Sequence, residues 1–202
     1  PFQQQGIELM LKTLRESEEP VHILSFGSAR PVAIAYNRDP ELFRRKVKLI
    51  HLAAGSSSPK FLEWNVGLDQ HAFVRLLRSD LPIAIYPCAT EDGPFALGPH
   101  NSYWKLPNLQ FIREMDPRLQ RFLAYAFARV ARSDFLRAME EDLPQELTAA
   151  VYSKPHHVWE TALWMHVSNR RLVRRADGHS RIVPASEVLA TARGVVDGDM
   201  MP

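Results

Sequence analysis

The stretch VKLIHLAAG, Val47 to Gly55, decides how the chain folds. An apolar run of strand length ends in small residues and continues into Ser56-Ser57-Ser58. That pattern reads as a buried strand entering a loop where backbone can approach a ligand closely. Upstream, PVHILSFG (20–27) repeats the motif, a short apolar run ending in glycine. Downstream, LPIAIYPCA (81–89) supplies a third strand. Helical segments separate them. RPVAIAYNRDPELFRRK is broken at Asp39-Pro40, because proline drives the residue before it out of the α region. DQHAFVRLLRS (69–79) forms the next helix, with Asp69 as its N-cap and His71 on its surface. At the start, Ile7, Met10, Leu11 and Leu14 recur at helical spacing. Strands alternating with helices predict an α/β fold with a mostly parallel, Rossmann-like sheet flanked by helices, and a ligand crevice at the carboxyl ends of the strands.

The 202 residues, 46% hydrophobic, suffice for one full core. We expect a single α/β domain: a βαβ core over 1–90, a loop over 91–115, and a helical part with terminal strands over 116–202. The 25 basic and 23 acidic side chains nearly cancel, which argues against a nucleic acid polymer or an anionic membrane as the partner. No apolar run reaches the roughly 20 residues that span a bilayer. A lone Cys88 excludes an intramolecular disulfide and reads as a small buried hydrophobe. Within 91–108, prolines and glycines frame Phe95, Tyr103 and Trp104, which either anchor the loop or stack on a ligand. PRLQRFLAYAFARVARS (117–133), DFLRAMEEDL and HVWETALWMHV read as helices, and RRLVRRADGHSRIVPASEV as a hairpin around Asp177-Gly178.

Between the second strand and the following helix lies EWNVGLDQHA, Glu63 to Ala72. Apolar burial does not require a carboxylate, an indole and an amide there. Glu63 and Asn65 read either as a helix-entry cap with a loop amide or as ligand groups, with Trp64 between them turned into the core. Three segments together resemble the inosine-uridine preferring nucleoside hydrolases. ILSFGSARPVAIAYNRDPELFRRKVKLIHLAAG is similar to that family's ATGPLTNLALAL…P…IKRIVIMGG block, EWNVGLDQHA to its EFNxxxDPEAA, and LPIAIYPCAT to its IPITMVPLDVT. The likeness covers about residues 6 to 90.

The resemblance implies the nucleoside hydrolase fold and hydrolysis of an N-glycosidic ribosyl bond, with calcium activating the water and a small nucleoside or ribosyl substrate. It implies that Glu63 and Asn65 hold ribose hydroxyls, that Leu52 stands at the family's sugar-facing methionine, and that the Phe26 backbone carbonyl is a calcium ligand. It also implies a homo-oligomer. A late His-Asp signature has its match in KPHHVWETALWMHV. In one register Glu160 takes the metal-binding place and Trp159 that of the histidine; in the other, His157 is the histidine and Val158 replaces the ligand. Glu160 is the better oxygen donor for a hard cation, and His156 and His157 stand near as leaving-group contacts. His156 and Glu160 at i, i+4 lack a third ligand at zinc spacing.

The family's DxDxxxDD motif, its main source of calcium ligands, has no counterpart in these residues. The chain opens on Pro1 rather than Met, so the expectation is an N-terminally incomplete hydrolase. The alternative is a non-catalytic relative that keeps the fold as a sugar-binding or interaction module.

Overall fold

The computed structural model describes residues 2–98, 100–101, 103–128, 137, 140–142, 144–174 and 180–188. They form two compact units, one built from residues up to Tyr103 and from Trp159 onward, the other from Trp104–Val158.

The first unit opens with α1 (Phe2–Glu16), β1 (Val21–Ser25), α2 (Arg30–Arg38), α3 (Pro40–Lys46) and β2 (Val47–Ala53). The one-turn α4 (Trp64–Leu68), α5 (Gln70–Leu77) and β3 (Ile83–Tyr86) follow. The strands pair in parallel in the order β1-β2-β3, so the predicted α/β architecture is present. The break between α2 and α3 falls at Asp39, whose carboxylate caps α3 by accepting from the Leu42 N–H at 3.1 Å.

Period-two alternation gives the sheet two different faces. The pairings Ile23↔Ile50 and Ile50↔Ile83, then Ser25↔Leu52 and Leu52↔Ile85, set one row of side chains. Ile23, Ile50 and Leu52 from this row join Ile7, Leu11, Leu14, Val32, Tyr36, Phe43 and Leu76 in the main apolar core. The opposite row holds Leu24↔His51↔Ala84 and Ala53↔Tyr86. Against it lies α8 (Thr161–Val167), whose Leu163 packs with Ala53, Cys88, Leu24 and Tyr86. The unit closes with the antiparallel pair β6 (Arg170–Arg174) and β7 (Ser180–Pro184). The expected hairpin is thus present as strands; its turn at Asp177-Gly178 lies outside the described residues.

In the second unit, β4 (Trp104–Leu106) pairs antiparallel with β5 (His156–Val158). A 3-10 turn (Gln110–Glu114), α6 (Pro117–Ala128) and α7 (Gln145–Tyr152) lie between them in sequence. Leu109, Ile112, Val151 and Tyr152 make its core. The expected helix over 117–133 is present to Ala128, and 129–133 lie outside the described residues, as does most of DFLRAMEEDL. One reading is corrected: HVWETALWMHV is not one helix. His157 and Val158 extend along β4, and the helix begins at Thr161. Antiparallel pairing to a distant segment overrides the local helical spacing.

Phe43 is fully buried in the main core. Phe43→Ala should destabilise the fold by about 3–5 kcal/mol, read as a shift in the urea midpoint with the slope unchanged.

Candidate functional site

The carboxyl ends of the three parallel strands run into Phe26-Gly27, Ala54 to Ser58, and Pro87 to Thr90. The last two loops are laced together: the Cys88 N–H donates to the Gly55 carbonyl at 2.9 Å and the Ser57 N–H to the Ala89 carbonyl at 3.0 Å. Gly55 holds φ at +98°, in the left-handed region, where a side chain is strained.

Glu63 is the centre of this end of the sheet. It is 5% exposed, and its carboxylate accepts three backbone N–H groups. Oε1 takes Asn65 at 2.9 Å, while Oε2 takes Gly55 at 2.9 Å and Val66 at 3.2 Å. It therefore caps α4 and also ties that helix to the end of β2. Asn65 adds a second tie, its Nδ2 donating to the Ala53 carbonyl at 2.8 Å. Glu63 makes the helix-entry bonds that one of the two sequence readings expected, whereas Asn65, a loop amide in that reading, lies within α4.

Trp64 is corrected by the structure: it is 74% exposed and does not enter the core. Three N–H donors draw Glu63 inward, and the next residue, first in the helix, is turned outward. Asp69 behaves as expected, accepting from the Ala72 N–H at 3.0 Å as N-cap of α5. It also accepts from Arg30 Nε at 2.6 Å. The Arg30 bond, then the Ala72 N–H, hold its carboxyl below the usual range. His71 is exposed, as expected.

Glu160 is half-buried and stands at the N-terminal boundary of α8, its side chain making no capping bond there. Cys88, 6% exposed, feels both Glu160 and Glu63. Burial foremost, then the Glu63 and Glu160 charges, push its thiol up to about 12. Phe26, at the end of β1, stacks on Trp164 of α8 with ring centroids 5.4 Å apart. The structure thus gathers Glu63, Asn65, Phe26 and Glu160 at the carboxyl edge of one sheet. Leu52 is 1% exposed and faces the main core, in the central strand between Ser25 and Ile85. His157 belongs to the second unit, on β5 opposite Lys105. Burial, then Lys105 and His156, lower its pKa.

Trp159 and the following loop aromatics are tied to one another. Trp159 Nε1 donates to the Pro94 carbonyl at 2.9 Å, and the Tyr103 hydroxyl donates to the Phe95 carbonyl at 2.8 Å. The Phe95 and Tyr103 rings lie 5.8 Å and 6.3 Å from that of Trp159.

Calcium takes six to eight oxygen ligands. Glu160 and the Phe26 carbonyl offer two residues' worth, and the Glu63 carboxylate already serves three N–H donors. Among the described residues, no group of three or more His, Cys, Asp or Glu converges to hold a metal. The described residues do not by themselves complete a calcium site.

Sequence reasoning missed a chain of polar groups on the sheet face beneath α8. His22 Nδ1 meets His51 Nε2 at 2.9 Å, His51 Nδ1 meets the Tyr86 hydroxyl at 3.0 Å, and that hydroxyl meets His166 Nδ1 at 2.7 Å. His51 is wholly buried. The available signal was a histidine inside the apolar stretch Leu49–Ala53 of β2.

No family model matches the sequence. Among known proteins, the chain is similar to pyrimidine-specific ribonucleoside hydrolases RihA. It is 36% identical over 84 residues to that of Escherichia coli O1:K1, 35% to that of Enterobacter sp. (strain 638), and 35% to that of Citrobacter koseri. The Escherichia coli match covers 40% of this chain and 27% of that protein, so the chain spans about a quarter of the length of the relatives it matches. These matches support the nucleoside hydrolase superfamily over the matched segment. Among solved structures, an inosine-uridine preferring nucleoside hydrolase from Bacillus anthracis aligns at 16% identity and a TM-score of 0.41, covering 88% of this chain and 56% of that one.

Two outcomes test this geometry. Glu63→Ala leaves the buried Gly55 N–H without its acceptor and should cost about 1–3 kcal/mol or more, with Glu63→Gln intermediate, by urea denaturation. Cys88 should react with a thiol reagent far more slowly in the native protein than in denaturant at the same pH, since the thiolate is the reactive form.

Proposed function

We propose that the protein is an N-glycosyl hydrolase of the nucleoside hydrolase type, acting on a small nucleoside or ribosyl substrate. The observation that carries this reading is the similarity to ribonucleoside hydrolases over 84 residues. In support, Glu63 and Asn65 retain unused bonding capacity at the strand ends. A carboxylate has about four acceptor positions, of which three are taken, leaving one on Oε1. Asn65 uses one amide hydrogen, which leaves the second and its carbonyl oxygen for a ligand. An acceptor beside a donor–acceptor amide suits two neighbouring sugar hydroxyls.

In such a reaction water adds at the anomeric carbon, the bond to the base nitrogen breaks, and the leaving base gains a proton. The sugar passes through an oxocarbenium-like state. The contribution of Glu63 and Asn65 is to hold the hydroxyls, and so the ring, in place while the bond lengthens. His157 is the candidate for contact with the leaving group, Leu52 stands in the strand that leads to the sugar-holding loop, and a homo-oligomer is part of the reading. Calcium belongs to the proposal through Glu160 and the Phe26 carbonyl, and needs further oxygen ligands.

A second reading, a non-catalytic sugar-binding or interaction module, has its own support. Trp159 stands where one register expects the family's histidine, and its indole N–H is committed to Pro94.

The test is ribose release from uridine and inosine by the full-length protein with calcium, beside Asn65→Ala. The expected result is hydrolysis that falls about tenfold or more in kcat/KM in the variant, with its circular dichroism intact. Unchanged kinetics would remove Asn65 from the site; ribose binding without hydrolysis would select the second reading. Glu160→Ala should weaken a calcium titration, and an unaltered titration would exclude Glu160 as a ligand.

A further inference from the structure

We propose that the His22–His51–Tyr86–His166 chain is a pH-sensitive latch that fastens α8 to the sheet, closed with up to one excess proton and weakened by a second. The inference stands on the hydrogen-bond geometry and is independent of the proposed activity.

The three contacts of the chain are all within hydrogen-bond distance, at 2.9, 3.0 and 2.7 Å. Each needs one hydrogen. With every group neutral, His51 brings one hydrogen to the chain, Tyr86 brings one, and the third comes from Nδ1 of either His22 or His166. All three bonds can form in either direction. One added proton is also accommodated. It can sit on His22 or His166, or on His51, which then donates from both nitrogens while the end histidines carry their hydrogens on Nε2. A second proton puts four hydrogens on three bonds. Two N–H groups then face each other, or the Tyr86 oxygen accepts from both His51 and His166 and its own hydrogen must turn out of the chain, away from any acceptor among the described residues.

The surroundings make that second proton costly. His51 is wholly buried and faces His22 from β1, Tyr86 from β3 and His166 from α8. Burial first, then the charges of His22 and His166, lower its pKa. Burial likewise raises the Tyr86 phenol, so it stays protonated. No carboxylate among the described residues is bonded to the chain to offset a charge; Glu160, at the other end of α8, acts on Cys88. Because the His51 pKa is lower folded than unfolded, its contribution to stability is present above about 6.5 and is lost as pH falls below that value. His166 is the exposed end of the chain and sits in the last turn of α8, where the helix is held to the sheet.

The experiment is hydrogen–deuterium exchange of backbone amides in the full chain from about pH 8 to about pH 5, corrected for intrinsic rates, with α5 as the internal reference. In the natural chain, α8 protection should fall by about tenfold on acidification, the scale of one lost hydrogen bond, while α5 holds. His166→Asn keeps an oxygen acceptor for Tyr86 but cannot titrate, and should hold α8 protection nearly level. Tyr86→Phe should leave α8 weakly protected already at pH 8. The proposal is overturned if α8 and α5 lose protection together, or if His166→Asn follows the natural chain.

Discussion

Three N–H groups converging on one buried carboxylate hold the carboxyl end of the sheet together. Glu63 binds the backbone at Gly55, at the exit of β2, and at Asn65 and Val66, in the first turn of α4. A carboxylate that is 5% exposed is tolerable only when such donors replace its water. The left-handed turn at Gly55, the path to α4 and the outward swing of Trp64 all accompany that convergence. Asn65 reinforces it from Ala53, so the strand end and helix start behave as one piece. Side chains tied in this way are held in one position by their structural bonds.

The sheet separates two kinds of chemistry by alternation alone. One row of side chains is apolar and joins α1, α2, α3 and α5 in the main core. The other carries His51 and Tyr86 toward α8, where hydrogen bonds add to the packing around Leu163. Apolar contacts are indifferent to pH, whereas a row of imidazoles is not. The two faces therefore respond differently to the same change of solution conditions.

Much of the first unit was legible in the chain itself. Ile7, Leu11 and Leu14 are buried at the helical spacing that announced α1, and the three apolar runs became β1, β2 and β3. Asp39-Pro40 divides two helices, and Asp69 caps a third. These are local effects, in which a residue's own backbone or its near neighbours set the outcome. The resemblance to nucleoside hydrolases was legible for the same reason, since it rests on contiguous blocks. The ends of those strands already located the edge where Phe26, Glu63 and Asn65 gather.

What sequence could not settle depended on partners far along the chain. His157 and Val158 lie in a strand because Trp104–Leu106 pairs with them. Trp64 is outside because Glu63 is pulled inward by Gly55, eight residues before it. The histidine chain draws on positions 22, 51, 86 and 166, and only the parallel register with α8 laid across it makes them neighbours. The sequence by itself determined the periodicities, the breaks and the caps, because these are written in short-range sterics and hydrogen bonding. Tertiary structure alone decided which polar groups meet, because a buried polar atom takes whichever partner the assembled fold brings within reach.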